Sequence, residues 1–254
     1  MDEALANLPS NPDLYCLSAK VFAEAGDIAR AEEGFKKAYD LGCRRREIFD
    51  GWVDVLQRRE DWREVARIAV IAEEQVQSCQ FQLLRDKALM WLGDQAARSG
   101  DFINAEQQYR TALDSIKIAT RQYNFRADRA QLWQLNETLI VRWLGVVRMV
   151  WPPDGGGLKQ YFNACLNATI KYRSSNVQIV LTAINLGNEW IDKLIRRGVT
   201  TSGAKDAKIF GEKLARVKNA LGTRSFSRMN ARIGVEEQLV KLGDKLSKVT
   251  NKVN

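Results

Sequence analysis

The chain has 254 residues, 45% apolar and 28% charged, an ordinary globular balance that excludes disorder throughout. It contains no histidine, so the commonest metal ligand and the usual general base near neutral pH are missing. The formal charge of +8 is unevenly placed: residues 1–150 carry 21 Lys/Arg against 23 Asp/Glu, and residues 151–254 carry 18 against 8, which suggests an anionic partner for the second half.

The four cysteines, Cys16, Cys43, Cys79 and Cys165, are scattered and form no C-x-x-C pair. That argues against a disulfide framework and a cysteine zinc site, and fits a reducing compartment. The opening "MDEALANLPSNPD" is acidic and has no apolar core, unlike a secretory signal. The most apolar run, "WLGVVRMVW", is short and contains Arg148, so no spanning segment is expected. These features together predict a soluble, cytoplasmic protein, and the helical spacings along the chain predict an all-α fold.

In chain order, Asn11-Pro12-Asp13 reads as a helix start, with a capping side chain and a proline in the first turn. Leu14, Leu17 and Val21 continue at helical spacing, and Gly26 ends that helix while Asp27 caps the next. The second helix, "GDIARAEEGFKKA", returns 74 residues later as "GDFINAEQQYRTA": Gly26 aligns with Gly100, Asp27 with Asp101, Ala31 with Ala105, Phe35 with Tyr109 and Ala38 with Ala112. A more worn copy, "EDWREVARIAVIA", lies at an offset of 34, with Glu60 in the turn-glycine position, Val65 and Ala69 in the next two, and Ala72 keeping the last alanine. Self-similarity at such a period predicts a repeat architecture.

These residues resemble the tetratricopeptide repeat (TPR) family, whose unit is a helix–turn–helix of about 34 residues. Leu92-Gly93 also stands where that pattern expects Leu-Gly. The resemblance implies three units over residues 1–122, at about 12–45, 46–79 and 86–119, with an extra helical turn around "QSCQFQ". It implies a helical-hairpin solenoid that captures a peptide or partner helix on its first helices. Lys20, Glu24, Asp50, Asp54, Arg58, Lys87, Asp94 and Arg98 would lie on or near that face. The chaperone-tail clamp of one TPR sub-group maps onto Cys16, Lys20, Gly51, Lys87 and Trp91. Only Lys87 matches, so that specificity is not expected.

Past the third unit, "YNFRADRAQLWQLNETLIVRWLGVVRMVW" reads as one long helix that stops at "PPDGGG". Two apolar helices follow at about 158–173 and 176–197, so residues 123–197 are expected to form further hairpins, read as degenerate repeats. Residues 198–254 read as a polar linker, "GVTTSGAK", and then basic amphipathic helices. In the last of these, Val235, Leu239, Leu242, Leu246, Val249 and Val253 form an a/d seam. Leu239, Leu242, Leu246 and Val249 are therefore candidates either to cap the solenoid or to pair two copies of the chain. Arg224, Arg228 and Arg232, with Lys241, Lys245 and Lys248, are candidate contacts to nucleic acid or another polyanion. A membrane surface suits this tail less, because the apolar stripe carries no Trp or Phe anchors.

Trp52, Trp62, Trp91, Trp133, Trp143 and Trp190 sit among leucines and alanines at helical spacing and are expected in the core, with Trp151 partly exposed. "CRRRE" at 43–47 reads as a solvated turn between units, and "DGGGLK" lacks the spacing of a phosphate loop. No nucleophile–base pair can be assembled, so no catalytic residue, cofactor or metal is expected. The function expected is that of a non-enzymatic scaffold or adaptor with a protein or peptide partner. The alternatives are a nucleic-acid-associated protein and the scaffold or sensor region of a larger one.

Overall fold

The computed structural model describes residues 9–122, 126–221 and 234–251. Among them every regular element is helical. Contacts define two compact units, one comprising Met1–Ser99 with Asp114–Leu132 and the other Gly100–Leu113 with Trp133–Asn254. The helices Phe102–Gln122 and Arg126–Val150 each contribute residues to both units.

The first unit is built from α1 (Pro12–Glu24), α2 (Ile28–Asp40), α3 (Arg46–Arg58), α4 (Trp62–Val76) and α5 (Cys79–Arg98), joined by the later part of α6 (Phe102–Gln122). Consecutive helices pack as hairpins, α1 on α2, α2 on α3, α3 on α4 and α4 on α5, and α1 also touches α3. Asn11 caps α1, its Oδ1 accepting from the Asp13 N–H at 2.9 Å.

The inter-helix turn is the same structure three times. Asp27, Asp61 and Asp101 each cap the second helix by accepting the N–H of the residue three further on, at 3.2, 3.2 and 3.1 Å. The residue before each cap is left-handed, at φ +83° in Gly26, +56° in Glu60 and +82° in Gly100. Ile28, Trp62 and Phe102 then donate back to the carbonyls of those residues at 3.1, 2.9 and 3.0 Å. Glycine enters the left-handed region freely, whereas glutamate pays a steric cost there. Glu60 therefore keeps the turn of the worn copy under strain.

Packing repeats with the turn. Ala31, Val65 and Ala105, and Ala38, Ala72 and Ala112, are all fully buried, with Phe35, Ala69 and Tyr109 buried between them. Two glycines permit the close approach. A Cβ on Gly34 would come within 2.9 Å of the Ala19 methyl, and one on Gly51 would sit 2.4 Å from the Phe35 ring. The third hairpin starts at Cys79, seven residues before the position expected, because Ser78 caps α5 by accepting from Gln80 N at 3.3 Å. The extra residues lengthen α5 and α6 to 20 and 21 residues.

The second unit takes the start of α6, most of α7 (Arg126–Val150), α8 (Leu158–Ile170), α9 (Val177–Arg196), α10 (Thr201–Leu221) and α11 (Val235–Thr250). A 3-10 turn at Pro153–Gly155 follows α7, as the prolines and glycines there require. The expected linker at 198–205 is helical from Thr201 onward: Thr200 Oγ1 accepts from Gly203 N at 3.1 Å and caps α10. Phe162, Trp190 and Phe210 form an aromatic cluster joining α8, α9 and α10, with Phe162 and Phe210 centroids 4.8 Å apart. α11 packs on α9 and α10. Its Val235, Leu239, Leu242, Leu246 and Val249 are buried, Leu242 against Gly187 of α9.

Candidate interaction face

The eight residues expected on a partner-binding face fall on the first helices of the three hairpins. Lys20 and Glu24 lie on α1, Asp50, Asp54 and Arg58 on α3, and Lys87, Asp94 and Arg98 on α5. Asp50 and Asp94 are half-buried and the others exposed. Spacings of 34 and then 40 residues make Lys20, Asp54 and Asp94 equivalent, and likewise Glu24, Arg58 and Arg98. The helical register therefore produces two rows of charge, one acidic after its first member and one basic after its first.

Part of this charge is satisfied internally. Arg58 pairs with Asp54 at 2.7 Å and donates to the Ala23 carbonyl at 3.1 Å, which ties α3 to the end of α1. Asp50 pairs with Arg46 at 3.3 Å. Lys20, Glu24, Lys87 and Arg98 form no ion pair among the described residues and stand in solvent. Lys87 also borders a shallow cavity of about 350 Å³ with Leu83, Leu84 and Gln131. A surface of this kind offers separate positive and negative contacts to an extended polar segment, each of them solvent-screened until covered.

The inter-repeat arginines are more than a solvated turn. Arg45 pairs with Asp13, Arg46 donates to Gln80 of α5, and Arg44 covers the Tyr39 ring at 3.8 Å. The partners of Arg45 and Arg46 lie 32 and 34 residues away, and sequence spacing alone did not reveal them.

Behind the face lies a buried polar network that the sequence did not announce. Asp86 on α5 is fully buried and accepts from Ser115 Oγ at 3.0 Å and Arg85 Nε at 3.5 Å. Arg85 also pairs with Glu73 at 2.7 Å, and Gln82 donates to the Ser115 carbonyl at 3.2 Å. Burial pushes the Asp86 carboxyl up to about 7, against the opposing pull of Arg85 and Ser115. Cys165 in the second unit is pushed up to about 12 by burial, so its thiol stays protonated and inert.

The tail residues divide. Arg224, Arg228 and Arg232 lie outside the described residues. Lys241 pairs with Glu237 at 2.7 Å, Lys245 donates to Asn188 of α9 at 2.9 Å, and Lys248 is exposed. The seam of Leu239, Leu242, Leu246 and Val249 is covered by α9 and α10 of the same chain. Of the tryptophans, Trp52, Trp143 and Trp190 are buried and Trp62 half-buried. Trp91 and Trp133 are 38% and 42% exposed, contrary to a core role, and Trp91 stacks on Trp62 at 5.4 Å. A helical spacing shared with leucines does not distinguish a core position from the flank of a buried stripe.

No family model and no curated protein matches the chain. Among solved structures, the chain is similar to a circular tandem repeat protein with novel repeat topology and enhanced subunit contact surfaces. The identity is 13% and the TM-score 0.46, over 94% of this chain and 57% of that one. The chain thus spans a little over half the length of that structure. The helical-repeat assignment rests on the three matching turns and their packing. No helix among the described residues is long and apolar enough to cross a membrane.

Proposed function

We propose that this is a TPR-like, non-enzymatic interaction scaffold that works in the cytoplasm. It holds an extended, mixed-charge protein segment along α1, α3 and α5. The observation that carries this reading is the register of the two charge rows, Lys20/Asp54/Asp94 and Glu24/Arg58/Arg98, on the first helices of successive hairpins. Four free, buried cysteines fit a reducing compartment.

The test is an affinity capture from the native cell, with and without nuclease, comparing wild type with a Lys20→Glu/Lys87→Glu/Arg98→Glu variant. These side chains are exposed, so the variant should fold normally. Loss of a nuclease-resistant partner with unchanged helicity supports the reading. Retention of every partner by the folded variant removes it.

A second reading, polyanion binding by the second half, is favoured by its 18 Lys/Arg against 8 Asp/Glu and by exposed Lys205, Lys208 and Lys248. Its signature is an affinity for DNA or RNA that falls steeply with salt. Absence of binding at low salt removes it.

A further inference from the structure

The first helices of the first two hairpins are equivalent in register but covered unequally. In α3 the arc of Ile48, Phe49, Trp52, Val55 and Leu56 is buried, with Gly51 beside it half-buried. An offset of 34 residues maps this arc onto Leu14, Tyr15, Ser18, Val21 and Phe22 of α1, with Leu17 in the Gly51 position. There Leu17 is 53% exposed and Val21 43%, and Leu14, Tyr15 and Phe22 are half-buried. α1 therefore carries a repeat-stacking surface that the described residues leave open.

The contact of α2 with α3 shows what such a surface takes. Phe35 and Tyr39 are four apart and lie on one face of α2. The Phe35 ring lies over Gly51, so close that a Cβ there would stand 2.4 Å from it. The Tyr39 ring lies against Phe49 and Trp52, with centroids 5.9 and 6.0 Å away.

Transferred to α1, the two positions change in opposite ways. Leu17 fills the place of Gly51, so a phenylalanine stacked above it would overlap the leucine and only a small side chain fits. The next hairpin shows the same exchange of sizes in its register, with Ala69 in the Phe35 position and Trp91 in the Gly51 position. The place of the Tyr39 ring, by contrast, is vacant. Its walls become Tyr15 and Ser18, and they border a cavity of about 470 Å³ that Phe22 and Gly34 also line. That is ample room for one aromatic side chain.

We propose that the outer face of α1 binds an amphipathic helix of a partner protein with a small residue four positions before an aromatic one. The small residue packs on Leu17, and the ring enters the cavity beside Tyr15 and Ser18. This contact continues the repeat stacking and does not depend on the charge rows. The probe is a peptide of residues 27–41 of this chain, "DIARAEEGFKKAYDL", titrated calorimetrically into the full chain. It is used in three forms: native, Phe35→Ala, and Phe35→Ala with Tyr39→Ala. The Phe35→Ala peptide should bind at least about tenfold more tightly than either of the others. In the chain, Leu17→Ala should remove the preference over the native peptide by making room for its ring. Val21→Glu should weaken the Phe35→Ala peptide about tenfold. Both positions are exposed, so these variants should fold normally. Tighter binding of the native peptide would place it over Gly51 in exchange for α2, and overturns the proposal. Equal binding of the three peptides, no heat at millimolar peptide, or a preference unchanged by Leu17→Ala overturns it as well. A wild-type dimer that Leu17→Glu turns into a monomer by light scattering would assign the face to a second copy, and overturns it too.

Discussion

Glu60 shows how much of a repeat a single residue can change without losing the turn. It sits at φ +56°, and its carbonyl accepts from the residue two further on, as those of Gly26 and Gly100 do. A left-handed side chain costs on the order of 1 kcal/mol, and part of the gain from glycine returns as unfolded-chain entropy. Glu60→Gly should therefore stabilise the chain by about 0.5–1 kcal/mol, read as a higher urea midpoint at unchanged slope, while Gly26→Ala and Gly100→Ala should each lower it. A lower midpoint for Glu60→Gly would mean that contacts of the glutamate outweigh its backbone strain. Asp86 makes the other single-residue prediction. Its carboxyl rises from an ordinary 3.8 to about 7 through burial, so across that window the folded chain binds the proton more tightly than the unfolded one. Stability then falls as pH rises from about 4 to about 7, by up to about 1.4 kcal/mol per pH unit, and levels off above. Asp86→Asn keeps an acceptor for Ser115 and removes the titration. Its urea midpoint should lack this component of the decline, measured from pH 4.5 to 7.5, and an unchanged slope would show that other groups cause it.

At the scale of elements, legibility followed the range of the interaction that makes each one. The hairpin turns were readable because Gly/Asp and the alanines that follow act within a dozen residues, and the same logic placed α7, α8 and α9. The start of α10 was not readable. "GVTTSGAK" has the composition of a linker, and only the Thr200 cap, with Ala204, Ala207 and Phe210 buried behind it, turns it into helix. The start of α5 moved for the same reason, a serine cap hidden in a polar stretch. The face residues were legible as register positions. The Asp86 network and the Arg46–Gln80 contact depend on partners 29 to 34 residues away, which no local pattern encodes.

At the scale of the whole molecule, the remaining question from the sequence is whether the C-terminal seam joins two chains or completes one. The structure buries Leu242 completely against Gly187 and places Leu239, Leu246 and Val249 beside it, all covered by α9 and α10. A seam buried in this way cannot also pack against a second copy while α11 stays docked. The two arrangements separate under one substitution. Leu242→Ala removes a fully buried leucine and should cost about 2–5 kcal/mol of stability. If the seam completes one chain, that loss is independent of protein concentration, and the mass by light scattering is the same for wild type and variant. If it joined two chains, the wild-type midpoint would climb with concentration and the variant would drop to half the mass. The burial of Leu242 within its own unit predicts the first result. A concentration-dependent wild-type midpoint would require α11 to leave α9 and α10 and pair across copies instead.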